Sequence, residues 1–215
     1  MQRLIIDIGN SSAKVATFEG DSLVWHVRVE HAELPALLAA KALDSAIQAA
    51  ILSSVIPLSE ELERVVATLP YPCLRMSATL KMPFRIAYET PDTLGPDRLA
   101  AVAEAWTQKP GNDLLIIDVG TAITYDIVTA DGIYRGGNIS PGISMRFKAL
   151  HHFTGKLPMV DKEGQRTEIG FSTETAIREG VLQGVCYEID GYIRAHNLKY
   201  PKLLIFLTGG HSFLL

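Results

Sequence analysis

The chain has no GxxxxGK[ST] segment and no GxGxxG turn, and these absences remove the two commonest nucleotide-binding folds. Its two cysteines, Cys73 and Cys186, are too far apart for a local metal knuckle and too few for a disulfide framework, so both read as reduced structural thiols. The adjacent His151 and His152 form no HxxxH or HxxEH zinc pattern and read as surface or loop residues. Positive charge is in deficit: 20 Lys and Arg stand against 24 Asp and Glu, for a net charge of -4, so no basic field exists for a nucleic-acid backbone. No apolar run reaches the roughly 18 to 20 residues needed to cross a bilayer. No basic stretch with a cleavable apolar segment precedes the first core strand, which starts at Leu4. By elimination the expectation is a cytoplasmic protein that acts on small molecules, with no nucleic-acid or membrane partner.

What the chain does contain is one glycine turn used twice. LIIDIGN at Leu4–Asn10 returns as LIIDVGT at Leu115–Thr121, with the leucine, both isoleucines, the aspartate and the glycine unchanged. Each copy reads as a buried strand ending in a carboxylate and a backbone open to an anion. Each strand then resumes, from Lys14 and from Tyr125, so each copy is a hairpin. Two similar halves follow, 1–110 and 111–215, with QKPGND at Gln108–Asp113 as the linker.

Between the hairpins the pattern alternates. A third strand is expected at Leu23–Val29, a helix at Glu33–Asp44, a buried strand at Ala49–Pro57 and a helix at Ser59–Leu69. Prolines at 70, 72, 83 and 91 argue against one continuous element in Pro70–Pro91. Leu99, Val102, Ala103 and Trp106 recur at helical spacing, which puts Gly95–Pro96–Asp97 at a helix start. In the second half, glycine-rich Asp131–Gly142 leads to a helix at Ile143–Phe153, a polar segment at His151–Ser172 expected to be a mobile loop, and a helix at Thr173–His196. Lys202–Gly210 reads as a last buried strand that runs into a glycine pair. Such a pair needs a following element to fix it, so the expectation is that the natural chain is longer than the HSFLL ending or that its last element is lost.

The repeated turns specify phosphate chemistry. Carboxylates such as Asp7 and Asp118 repel phosphate oxygens unless a cation bridges them, so magnesium, water or another cation is expected there. Backbone N–H groups of Gly9–Lys14 and Gly120–Thr124 can accept the anion, with hydroxyls from Ser11, Ser12, Thr121 and Thr124. Lys14 can neutralise a transferring phosphoryl group. With the P-loop and dinucleotide folds excluded, the expected architecture is α/β: duplicated ribonuclease H-like domains of the acetate and sugar kinase/Hsp70/actin superfamily, with a cleft between the halves.

Four segments carry a closer resemblance: DIGNSSAK at Asp7–Lys14, YETPDTLGPDR at Tyr88–Arg98, DVGTAITYD at Asp118–Asp126 and GGNISPGISMR at Gly136–Arg146. STETAIREG at Ser172–Gly180 and LTGG at Leu207–Gly210 reinforce them in order and spacing. Together they resemble type III pantothenate kinase across nearly the whole chain. The resemblance implies phosphorylation of the pantothenate hydroxyl by ATP, the first step towards coenzyme A, by a homodimer. It implies that Asp97 is the general base, and that Tyr88, Gly95, Pro96 and Arg98 surround pantothenate. Thr173 would reach the same substrate across the dimer interface. Asp7, Gly9, Asn10, Ser11, Ser12 and Lys14 would form the first phosphate loop, with Thr121 a further ATP contact. Asp118 would bind a monovalent cation, potassium or ammonium. Gly209 and Gly210 resemble the adenosine-side turn.

The residues depart from the family pattern in three places. Ser11 stands where many members have threonine, Pro96 stiffens the turn before Asp97, and His211 stands where many members have an acidic residue. Two other readings share the phosphate chemistry: a different small-molecule kinase or phosphohydrolase of the same superfamily, and a non-catalytic nucleotide-binding accessory protein.

Overall fold

Leu4, Ile6 and Ile8 are buried and alternate with half-buried Ile5 and Asp7, a period of two that makes the first repeat a strand with one dry face. This strand, β1 (Gln2–Ile8), pairs antiparallel with β2 (Ala13–Glu19), which pairs antiparallel with β3 (Ser22–Val29). The chain then forms α1 (Leu34–Lys41), β4 (Ile47–Ser54), α2 (Glu60–Ala67) and the short β5 (Cys73–Arg75). The first sheet has the order β3-β2-β1-β4-β5, with β4 parallel to both of its neighbours. Leu34 and Leu38 of α1 and Leu62 and Val66 of α2 cover the dry face and join Leu4, Ile6, Ile8 and Leu52 in one core. Each such side chain, fully buried, contributes about 1.5 to 3 kcal/mol. Ser59 starts α2 by accepting the Leu62 N–H at 3.2 Å.

The computed structural model describes residues 1–214 and divides into two compact units. Met1–Met82 with Thr90–Ala100 form the first, and Pro83–Glu89 with Ala101–Leu215 form the second. The remaining elements are β6 (Arg85–Ile86), a 3-10 turn at Pro91–Thr93, α3 (Pro96–Gln108), β7 (Leu114–Val119), β8 (Ala122–Thr129), β9 (Ile133–Pro141), α4 (Ile143–His152), α5 (Thr173–Lys199), β10 (Leu204–Thr208) and a 3-10 turn at Ser212–Leu214.

The second sheet has the order β10-β7-β8-β9-β6. Without β6, its run β10-β7-β8-β9 reproduces β4-β1-β2-β3, with the parallel pair and both antiparallel pairs in the same places. The duplicated sheet topology expected from the repeated turn is therefore present. The core of this unit joins Leu115, Ile117 and Val119 of β7 to Phe147 of α4 and Ile177, Val181 and Val185 of α5.

Four elements differ from the sequence reading. Strand β10, which reads as buried, lies at the edge of the second sheet with Leu204, Ile205 and Leu207 exposed. Strand β4 ends at Ser54, short of the expected Pro57, because its partner β1 ends there. The Ser54 hydroxyl then turns the chain by donating to the Ile56 carbonyl at 2.7 Å. Gly136 and Gly137, which read as part of a turn, lie inside strand β9. A bulge at this point shifts the β8–β9 register. The polar 151–172 segment, expected to be mobile, is strapped to α5: buried Arg178 donates to the Asp161 carbonyl, and buried Glu179 accepts from Arg166 Nε and the Thr167 N–H.

Candidate active site

In the first unit the candidate site residues lie on the face of the sheet opposite α1 and α2. Residues directly paired across strands point the same way. Asp7 pairs with Ser53 on β4 and Lys14 on β2, and Lys14 pairs in turn with Arg28 on β3. One row across four strands thus presents a hydroxyl, a carboxylate, an ammonium and a guanidinium. Lys14 Nζ stands 4.0 Å from Asp7 Oδ2.

The first turn, residues 9–12, closes with the Gly9 N–H on the Ser12 carbonyl at 3.1 Å. Asn10 and Ser11 are exposed at its tip, while Ser12 is buried. Two side chains absent from the sequence reading hold this turn. His31 Nε2 donates to the Gly9 carbonyl at 2.9 Å, and Arg28 Nε donates to Ser12 Oγ at 2.7 Å. No local spacing announces either contact, because both come from the β3 side of the unit.

Asp97 belongs to the same unit. Pro96 opens α3, where its missing N–H costs nothing, and Asp97 follows in the first turn near the positive end of the helix. The Arg98 N–H donates to Asp97 Oδ1 at 2.9 Å, and the Arg98 side chain is buried. Gly95 leaves room for this arrangement, since a β-carbon there would fall 2.4 Å from Asp97 Oδ1.

Burial pushes the Asp7 carboxyl above its ordinary value; Lys14 opposes the shift, the negative charge of Asp97 adds to it, and the Ser53 hydroxyl opposes it. Ser53 Oγ steadies the Asp7 charge, yet it is buried and forms no hydrogen bond of ordinary geometry. Ser53 and Asp7 are cross-strand neighbours on the β1–β4 ladder without a formed hydrogen bond. A half-buried carboxylate beside an orphaned hydroxyl fits magnesium, which is commonly held by one or two carboxylates, phosphate oxygens and water. Among the described residues no three His, Cys, Asp or Glu side chains cluster as an all-protein metal cage.

The second unit holds the other expected residues. Asp118 is the penultimate residue of β7 and pairs with Thr124, so this turn is tighter than the first, closing with the Gly120 N–H on the Ala122 carbonyl at 3.0 Å. Thr121 is exposed in the turn, and its carbonyl abuts Gly142, where a β-carbon would fall 2.1 Å away. Gly209 has φ +98° and closes over the end of β7: a β-carbon there would lie 2.4 Å from both Asp118 Oδ1 and the Val119 nitrogen. A second glycine, Gly120, also borders this carboxylate. An oxygen donor walled by glycines fits a small cation. Gly210 has open space around it.

Tyr88 is half-buried, with its ring 3.1 Å from where a Gly136 β-carbon would stand and its centroid 6.2 Å from that of Tyr134. Thr173 is exposed at the start of α5, behind the Ser172–Thr175 capping box. It lines a groove of about 730 Å³ with Leu150, Leu157, Ala176, Ile177 and Gly180.

Sequence reasoning missed Glu188 of α5. Its carboxylate accepts from Tyr125 at 2.8 Å and from Ser140 and Arg146, and Arg146 Nε also donates to the Pro141 carbonyl at 2.8 Å. Burial alone would push the Glu188 carboxyl up, but Arg146, Ser140 and Tyr125 together hold it below its ordinary value. The network braces the β9–α4 junction, where Gly142 packs against the second turn.

The same architecture recurs in solved structures. A Baf family protein from Campylobacter jejuni superposes with a TM-score of 0.63 at 23% identity, covering 99% of this chain and 85% of that one. The ROK hexokinase of Thermus thermophilus gives 0.52 at 14% identity, covering 99% and 83%. These likenesses establish the fold alone. Sequence similarity is more specific. The type III pantothenate kinase of Bacteroides fragilis is 51% identical over 211 residues, which cover 98% of this chain and 86% of that protein. That of Phocaeicola vulgatus is 48% identical over 212 residues, with the same coverages. The family model matches residues 3–195, from the first glycine-turn strand to the far part of α5, and this chain belongs to the type III pantothenate kinase family.

Proposed function

We propose that the chain transfers the γ-phosphoryl group of ATP to the hydroxyl of pantothenate, with Asp97 as general base. The hydroxyl oxygen forms a bond to the γ-phosphorus, the bond from that phosphorus to the β,γ-bridging oxygen breaks, ADP leaves, and the hydroxyl proton passes to the Asp97 carboxylate. The single observation that carries this reading is that Asp97, Asp7, Lys14 and the first glycine turn share one unit, with Asp97 close enough to act on the Asp7 carboxyl.

The other roles follow from position. In the turn that Gly9 closes, Asn10, Ser11 and Ser12 offer backbone N–H groups and hydroxyls to the phosphates, and Lys14 balances charge on the transferring group. Asp7, with phosphate oxygens and water, would hold magnesium, which supplies charge neutralisation when bound. Asp118 would hold potassium or ammonium, and Thr121 and the Gly209–Gly210 turn would meet the nucleotide. Tyr88, Gly95, Pro96 and Arg98 would enclose pantothenate.

The protein acts as a cytoplasmic homodimer in this reading. Among the described residues no helix is long and apolar enough to cross a membrane. Ala176 and Gly180 are exposed on α5, and the space beside Gly180 and Gly184 is open, which would let a second copy approach closely and bring Thr173 to its neighbour's substrate. A bulky Gly180→Trp substitution should then shift the sedimentation profile towards monomer.

The deciding measurement is ADP release with and without pantothenate, repeated with sodium in place of potassium and with Asp97→Asn. Pantothenate-dependent turnover that falls about 10²- to 10⁴-fold in Asp97→Asn supports the assignment. Full turnover by that variant would remove Asp97 as base, and turnover in sodium alone would remove the cation role of Asp118.

A further inference from the structure

The row across the first sheet sets two cations side by side. Lys14 and Arg28 are direct cross-strand partners on the same face, a juxtaposition of like charges that is unfavourable unless an anion offsets it. The carboxylate in this row, Asp7, lies on the far side of Lys14 from Arg28. Arg28 Nε is committed to Ser12 Oγ at 2.7 Å, which fixes the guanidinium plane at the last residue of the phosphate turn. Its two terminal nitrogens have no protein partner among the described residues, and the side chain is exposed. A guanidinium anchored through Nε presents those nitrogens as a fork, the geometry that pairs with two phosphate oxygens.

We propose that Arg28 is a second cationic ligand of the polyphosphate bound at the first turn, beside Lys14. The assignment rests on the kinase reading above and deepens it. A prop for the turn needs only one donor to Ser12, whereas a ligand uses the fork and the charge. The two roles separate by their response to salt, because a solvent-exposed ion contact weakens with ionic strength and a structural hydrogen bond does so far less.

The test is calorimetric titration of the whole protein with MgATP at several salt concentrations, comparing the wild type, Arg28→Gln and Arg28→Lys, with thermal melting to confirm folding. Arg28→Gln should bind MgATP about tenfold more weakly and lose less affinity as salt rises. Arg28→Lys should recover the steep salt dependence and part of the affinity. Unchanged MgATP affinity in Arg28→Gln would overturn the assignment and leave the kinase reading intact. Weaker binding with the wild-type salt response would reduce Arg28 to a support for Ser12 and overturn it equally. A wild-type protein that binds no MgATP would overturn both readings together.

Discussion

Asp7 lies in the electrostatic field of Asp97, with one carboxylate at the end of β1 and the other in the first turn of α3. Burial is the larger reason why the Asp7 carboxyl sits above its ordinary value, and the Asp97 charge adds to it. Neutralising Asp97 must therefore move Asp7 down. MgATP binding by the wild type should weaken as pH falls through the raised Asp7 pKa, and in Asp97→Asn the same loss should begin at lower pH. Binding curves that superpose in the two proteins would show that the carboxylates do not communicate.

The same shift makes Asp7 a cost to the fold. A carboxyl whose folded pKa exceeds its unfolded value binds its proton more tightly when folded, so its penalty is absent in acid and grows as pH rises through the folded pKa. Asp7→Asn should raise the melting temperature at neutral pH, with the gain over wild type shrinking as pH falls towards the unfolded value of about 3.9. Phosphoryl transfer should be lost in the same variant. Melting at several pH values, paired with ADP release, checks both halves.

The repeated strand-turn segments were legible because burial period, carboxylate and glycine all lie within seven neighbouring residues. GPDR was legible too, since Pro96 and Asp97 are both suited to a helix start. Ser53 and Arg28 were not, because they reach Asp7 and Lys14 only through strand pairing, and register is not written in local spacing. Strand β9 was hidden for another reason. Gly136 and Gly137 mark a bulge and a close approach to the Tyr125 backbone, and glycine used this way looks in sequence like a turn.

Gly209 gives a sharper test of the second unit. Its φ of +98° strains any other residue, and a β-carbon would fall 2.4 Å from Asp118 Oδ1. Gly209→Ala must shift the backbone or the carboxylate, at a cost of roughly 1 to 3 kcal/mol. The melting temperature should fall, and the potassium concentration needed for half-maximal turnover should rise. An equal substitution at Gly210, which has open space around it, should melt close to wild type.

Glu188 ties four elements together, since its carboxylate on α5 takes bonds from Tyr125 of β8, Ser140 of β9 and Arg146 of α4. Its folded pKa is depressed, so its contribution to stability is present above the unfolded carboxyl pKa and is lost as pH falls through the folded value. Glu188→Gln should lower the melting temperature at neutral pH by an amount equivalent to roughly 1 to 3 kcal/mol, and the gap from wild type should narrow in acid. Removing only one partner leaves the other's charge poorly solvated, so Arg146→Met should be costly alone, and the double variant Arg146→Met/Glu188→Leu should cost less than the two single losses combined. Arg146 also holds the Pro141 carbonyl next to Gly142, which packs against the carbonyls of the second turn. The loosened network should therefore raise KM for ATP even where the melting loss is made up by a lower assay temperature. Strict additivity of the single variants, with KM unchanged, would mean that the four side chains neither act as a unit nor brace the turn.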